Sequence, residues 1–199
     1  MSRCRPQMRR QLRIDRSGRS DYAWRMSTLH FICGKAASGK TTLGRELAVR
    51  HKAVFFCEDE WLTLLDARID SLSDFVHHSQ RLKSALKPHA GRLLELGIPV
   101  IFDFAGNTPE DRAWVRSIFE GAGADHVLHV ITATDEACKA RLRKRNETKP
   151  EGLYFGHVPE TLFNEVTRYF VPPADAENLR ILEYDAETPG RLARLSPAG

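Results

Sequence analysis

The chain has 199 residues, 42% of them hydrophobic, enough for one domain with a core of its own. Its net charge of +4 is unevenly placed: residues 1–26 hold eight arginines against Asp15 and Asp21, so the remainder is net −2, and the basic pI does not argue for a nucleic-acid-binding surface. The sequence has no run of about 18 apolar residues to cross a membrane. Cys4, Cys33, Cys57 and Cys138 form no C-x-x-C pair, which argues against a zinc or redox motif and fits a reducing cytoplasm.

Residues 1–26 carry no apolar h-region and so do not form a secretory signal. Three readings stand for this extension: a stretch upstream of the true start at Met26-Ser27-Thr28, a solvated basic tail, or an Arg-rich transit peptide. Residues 27–199 then make the folded domain. Leu29 to Cys33 is a short apolar strand ending at Gly34, and Thr41 to His51 has helical spacing. Val54 to Cys57 is a second strand, followed by Glu58-Asp59-Glu60. Residues 60–68 and 73–96 read as helical, with Pro88 expected to split or kink the second stretch and Gly97 to end it. Ile98 to Phe104 is a third strand. Thr108 is an N-cap with Pro109 behind it, and Glu110 to Glu120 form the helix body. His126 to Ile131 is a fourth strand, and a helix capped by Thr134 runs through Arg145. Residues 146–158 form a polar loop, Pro159 to Phe170 a helix, and Leu179 to Tyr184 a last strand. Strands alternating with helices imply a three-layer α/β/α P-loop NTPase fold with a five-stranded parallel sheet.

The stretch Gly34-Lys35-Ala36-Ala37-Ser38-Gly39-Lys40-Thr41 matches G-x-x-x-x-G-K-[ST], between an apolar strand and an amphipathic helix as the motif requires. The glycines let successive N–H groups face a phosphate, and the helix behind adds its positive end. Gly34 through Thr42 therefore form the nucleotide cradle for ATP. Lys40 serves the β- and γ-phosphates, and Thr41 ligates Mg2+.

In an open α/β sheet, ligands sit beyond the carboxyl ends of the strands. Asp59 follows the second strand, which is expected to run beside the P-loop strand, and Asp103 ends the third. A carboxylate there accepts a hydroxyl proton or holds magnesium through water. The acidic triplet has a second reading, as charges that suit a helix N-terminus. Arg141 and Arg145 share a helix face before the loop at 146–158, either as a cap over a transferring phosphoryl group or as a solvated basic helix end. His77, His78, His89, His126 and His129 have no metal-ligand spacing, and His126 and His129 fall on opposite faces of their strand.

The residues from Thr28 to about Phe170 resemble the P-loop kinase group that includes polynucleotide 5′-hydroxyl kinases, chloramphenicol phosphotransferase and zeta toxins, often filed as AAA-type ATP-binding proteins. The resemblance rests on Gly34 to Thr41, on Asp59, on Asp103 with Asn107 and Arg112, and on Arg141 with Arg145. It implies an ATP- and Mg2+-dependent kinase with Asp59 as general base. Arg141 and Arg145 then contact ATP phosphates, Asp103 serves the metal, and Asn107 and Arg112 face substrate. Leu62 stands where the nucleic-acid kinases of this group carry an arginine, so the resemblance points to phosphoryl transfer without implying a polynucleotide acceptor. The expected partners are ATP and an acceptor hydroxyl on a small molecule, a nucleotide or a nucleic acid, bound between residues 60–68, 73–96 and the turn after Asp103; charge outside the extension gives a nucleic acid no support, which favours a small molecule, and no membrane is expected. The rival reading is an ATP-hydrolysing switch or assembly protein. Against it, Phe104 follows Asp103, so no Asp-Glu pair closes that strand to polarise water.

Overall fold

A computed structural model describes residues 27–69, 71–104 and 106–187; the extension at 1–26 lies outside the described residues. Five strands form one parallel sheet in the order β2-β3-β1-β4-β5, with β1 Thr28–Cys33, β2 Val54–Cys57, β3 Val100–Asp103, β4 Asp125–Thr132 and β5 Ile181–Asp185. The inner strands β1 and β3 and the middle of β4 are buried on both faces and mostly apolar, whereas the edge strand β5 leaves Leu182, Glu183 and Asp185 exposed. Odd-numbered residues of β1 (Leu29, Phe31, Cys33) join a core with Leu82, Leu86, Leu94, Val115 and Ile118 from helices α3 (Leu72–Glu95) and α4 (Pro109–Gly121). Ile32 faces the other way, with Leu43 and Leu47 of α1 (Lys40–His51). The expected three layers and five parallel strands are therefore the observed ones.

The strand order corrects one expectation. β2 does not run beside the P-loop strand β1; β3 lies between them. The β1–α1–β2 crossover skips one position, and β3 fills it. Asp103, not Asp59, therefore ends the strand next to the P-loop.

Two helices also differ from their sequence reading. Helix α2 spans Glu58–Leu64, so it starts directly on the acidic triplet instead of at residue 60. Three carboxylates in the first turn suit the helix dipole, and Asp66 at φ 51 turns the chain away soon after. Helix α3 is continuous through Pro88. Pro88 sits on the exposed face with Ser84, the residue whose carbonyl it leaves without an intrahelical donor, so water can satisfy that carbonyl. Beyond these, α5 spans Asp135–Thr148 and takes three residues expected in the loop, while α6 spans Glu160–Thr167.

Arg112 fixes the C-terminal part of the chain to the core. Its side chain is fully buried, and Nε and Nη2 donate to the two carboxylate oxygens of Glu177 at 2.6 and 2.8 Å. Nη1 donates to the carbonyls of Gly106 and Val171. Such a bidentate, charge-assisted pair holds position as well as energy. Removing one member strands the other, so Arg112→Ala should cost about 3–5 kcal/mol, read as a lowered midpoint in urea unfolding.

A second polar cluster lies inside the sheet. His30 Nδ1 and His129 Nε2 are 2.9 Å apart, and His129 Nδ1 is 2.7 Å from the Tyr184 hydroxyl. Burial lowers both histidines to about 3, helped by His129 and His51 at His30 and by His51 at His129, so the pair is neutral at physiological pH. His126, on the opposite face, stacks on Phe119.

Candidate functional site: a P-loop cleft

The loop between β1 and α1 is built for an anion. Ala37 at φ 56 and Gly39 at φ 104 take left-handed backbone, which turns consecutive N–H groups inward. At Gly34 a side chain has no room: a Cβ would stand 2.7 Å from Ser38 Oγ and 3.0 Å from the Ile131 carbonyl oxygen. Lys40 Nζ folds back over the loop, donating to the carbonyls of Gly34 and Lys35 at 2.8 and 2.9 Å. Thr41 and Thr42 follow in the first turn of α1, the first half-buried and the second exposed. Lys35 is held outward by Asp135 at 2.5 Å. Ala36 and Ala37 pack beside Cys138, Leu142 and Phe163, so helices α5 and α6 close one side of the loop. Nothing in the periodicity of α6 pointed to Phe163 as that cover.

Across the cleft stand the carboxylates. Asp103 is buried and accepts from Cys57 Sγ at 3.4 Å. Asp59 is reached by solvent on one side and crowded on the other. Loss of water and the charge of Asp103 raise its carboxyl above the usual range, while Lys40 and Arg145 pull it down. These influences link Asp59 electrostatically to Asp103, Lys40 and Arg145, although β2 is not next to β1.

The other two acids of the triplet do different things. Glu60 is 3.9 Å from Arg45. Glu58 is buried and accepts a short hydrogen bond from the Ser79 hydroxyl on α3. Burial pushes it up to about 7. Because the folded value exceeds the unfolded one, the protein keeps Glu58 protonated at a cost that is absent below the unfolded pKa of about 4.5. That cost grows as pH rises toward 7. Glu58→Gln should therefore leave stability at pH 4 nearly unchanged and raise it by about 1–3 kcal/mol at pH 8, measured by urea unfolding at both values.

The arginines of α5 divide. Arg141 donates to the Ser38 carbonyl at 3.4 Å and the Ala186 carbonyl at 2.9 Å, so it braces the P-loop against the end of β5. Arg145 Nε is buried and has no hydrogen-bond partner among the described residues. The loop after α5 is clasped at its base, where the Asn146 side chain donates to the Val158 carbonyl at 2.7 Å and accepts from its N–H at 3.3 Å.

Two residues expected at substrate sit elsewhere. Arg112 faces Glu177 with its donors engaged, so it is a structural clamp and not a substrate contact. Asn107 Oδ1 accepts from the Gly34 N–H at 3.0 Å, and its carbonyl accepts from Val171. It ties the turn after β3 to the entrance of the P-loop. Leu62 is buried in the core, so that position offers nothing to a nucleic-acid phosphate.

A protein-family model described as AAA domain matches residues 29–173. The chain belongs to the AAA domain family. No curated protein matches it in sequence. Among solved structures it is similar to a gluconokinase from Sinorhizobium meliloti 1021, at 15% identity over 86% of this chain and 88% of that one, with a TM-score of 0.55. It is also similar to Kti12 from Chaetomium thermophilum in complex with ADP-AlF3, at 14% identity over 84% and 94% of the two chains, TM-score 0.63. APS kinase from Mycobacterium tuberculosis in complex with AMPPNP and APS matches at 17% identity over 72% and 97%, TM-score 0.50. At these identities the likeness is one of fold.

The cradle of this AAA domain fits a nucleotide triphosphate on its own geometry. Ser38 Oγ is fully buried without a partner, at the base of the loop where an anion's oxygen could accept from it. Arg145 Nε is a second buried donor left open. For a metal, the Thr41 hydroxyl and Asp103 are hard oxygen donors, and the described residues hold no cluster of three or more His, Cys, Asp or Glu for a dedicated metal cage. That donor set suits Mg2+, which binds through one or two protein oxygens and the phosphates. No helix among the described residues is long and apolar enough to cross a membrane.

Proposed function

We propose that this AAA domain is an ATP- and Mg2+-dependent kinase that transfers the γ-phosphoryl group to a hydroxyl of a small molecule in the cytoplasm. The observation that supports the reading is that the charges of Asp103, Lys40 and Arg145 all act on the Asp59 carboxyl, the group we take as the base. Asp59 accepts the acceptor's hydroxyl proton as the new O–P bond forms, and the bond to the leaving ADP oxygen breaks with its electrons on ADP. Lys40 turns from the loop carbonyls to the β- and γ-phosphates, and Arg145 meets charge on the transferring group. Thr41 and Asp103 would hold the metal, which supplies charge neutralisation at the phosphates. Arg141 and Asn107 keep the loop in register from either side. A metabolite-library screen for ATP-dependent phosphoester formation tests the reading.

A second reading is an ATP-hydrolysing switch or assembly protein with water as acceptor; what favours it is that Kti12, similar in fold, is seen in complex with ADP-AlF3. It would hydrolyse ATP at full rate with no alcohol present. The kinase should consume ATP slowly until its acceptor is added.

A further inference from the structure

We propose that the buried chain His30–His129–Tyr184 is an acid-sensitive latch. It ties the edge strand β5 to β1 and β4 while both imidazoles are neutral, and a proton drawn into it frees β5 together with the brace that β5 gives the P-loop. This holds whatever the phosphate acceptor is. The three side chains cross three strands on the face that α1 covers, beside Ile32, Leu43 and Leu47. Strand β5 pairs only with β4, and Tyr184 is its one buried side chain. The brace comes directly after it. The Ala186 carbonyl accepts from Arg141 Nη2 at 2.9 Å, and Arg141 Nη1 donates to the Ser38 carbonyl at 3.4 Å. What holds Tyr184 therefore bears on the P-loop.

The chain has room for a fixed number of protons. A neutral imidazole has one N–H and one bare nitrogen. His30 Nδ1 and His129 Nε2 stand 2.9 Å apart, which admits one hydrogen between them. His129 Nδ1, 2.7 Å from the Tyr184 oxygen, makes the second link. Two neutral rings and one hydroxyl satisfy both links, with every hydrogen pointing the same way along the chain. If both rings were charged, two N–H groups would meet across the gap, so a second extra proton breaks the chain.

The first extra proton is opposed by charge. His51, exposed at the end of α1, has its ring 4.5 Å from that of His30 and takes a proton before the buried pair. Arg180, just before β5, adds a positive charge at His30, and Arg50 of α1 adds one at Tyr184. The β3 neighbour of His30 is the apolar Ile101. Glu183 and Asp185 of β5 alternate to the face opposite Tyr184, and His126 of β4 lies against Phe119 on that same face. Among the described residues no carboxylate acts on either ring. His30 and His129 are 5% and 1% exposed, so water cannot carry the charge either. Once β5 opens, the rings return toward their ordinary 6.5, so the closed form binds fewer protons than the open one. Its stability is full above that value and falls as pH drops from there toward 3. Each ring that titrates favours opening by about 30-fold at pH 5.

The test follows the full chain from pH 7.5 to pH 5. Nitrogen-15 NMR of the imidazoles should show two histidines that stay uncharged in the closed protein across this range. Amide exchange, corrected for its intrinsic pH dependence, should show residues 181–186 losing protection by about 30-fold or more, while residues 28–33 and 100–103 keep theirs. The double variant His30→Gln with His129→Gln has no ring to titrate there. It should lose far less β5 protection and far less ADP affinity on acidification than the native protein, a comparison that cancels protonation of the nucleotide itself. If the double variant does not fold, Tyr184→Phe cuts the last link and keeps the aromatic ring; its β5 protection at pH 7.5 should already approach that of the native protein at pH 5. Buried histidines that titrate near their ordinary value in the closed protein overturn the proposal. So does an equal loss of protection in all five strands, which is global acid unfolding, and so does an acid response of the double variant equal to the native one.

Discussion

Lys40→Ala should abolish turnover and weaken ATP binding by about 10²-fold or more. The expected loss follows from what Nζ does. It donates to the carbonyls of Gly34 and Lys35, which holds its charge over the loop where the β- and γ-phosphates would sit. The neighbouring ammonium of Lys35 is engaged by Asp135 instead. Removing one preorganised electrostatic group from a developing charge costs about 3–4 kcal/mol in the transition state, and ground-state phosphate contacts are lost as well. The fold should survive, since Lys40 is only half-buried and the backbone of the loop is set by Ala37, Gly39 and the Asn107 contact. Calorimetric titration with ATP and a thermal melt of the same sample check both halves. Unchanged affinity in a folded variant would remove the P-loop reading.

What the sequence could and could not reveal divides along one line. Local patterns were readable: an apolar strand before Gly34, the Thr108–Pro109 cap, and the Thr134 cap all name their own elements, because capping and periodicity act between residues close in the chain. Lateral strand order was not readable, since nothing in β2 states whether β3 will insert beside it. Arg112 shows the same limit. Its partner Glu177 lies 65 residues away, and an arginine bound to a carboxylate looks in sequence like one awaiting a phosphate. Asn107 was expected to face substrate, yet its Oδ1 faces the Gly34 amide, a contact made only when β1 and β3 pair. The Arg141–Arg145 pair shares a face, as spacing predicts. Which of them braces the loop and which stays open depends on where β5 ends.

Asp59→Asn should lower phosphoryl transfer by about 10²-fold or more with ATP affinity nearly unchanged. The amide keeps the shape of the side chain and removes its basicity. The environment of Asp59 adds a pH signature that a merely structural residue would not give. Its carboxyl is raised by lost solvation and by Asp103, so it must ionise at a pH above the ordinary carboxylate range. Only the ionised form accepts the hydroxyl proton, so kcat/KM of the native protein should climb with pH through this raised value and then level off. Asp103→Asn removes a neighbouring negative charge, which favours ionisation, so the limb should move to lower pH even as metal binding suffers. In Asp59→Asn the limb should vanish and leave a low, flat profile. Glu60→Gln should keep both rate and limb, because Glu60 reaches only Arg45 among the ion pairs of the cleft. Glu58→Gln should keep them too, since that side chain is spent on Ser79 in the core. The decisive measurement is the set of pH–rate profiles for these four variants under saturating Mg-ATP. A Glu60→Gln variant that loses the limb, beside an Asp59→Asn variant that retains it, would move the base one residue along α2.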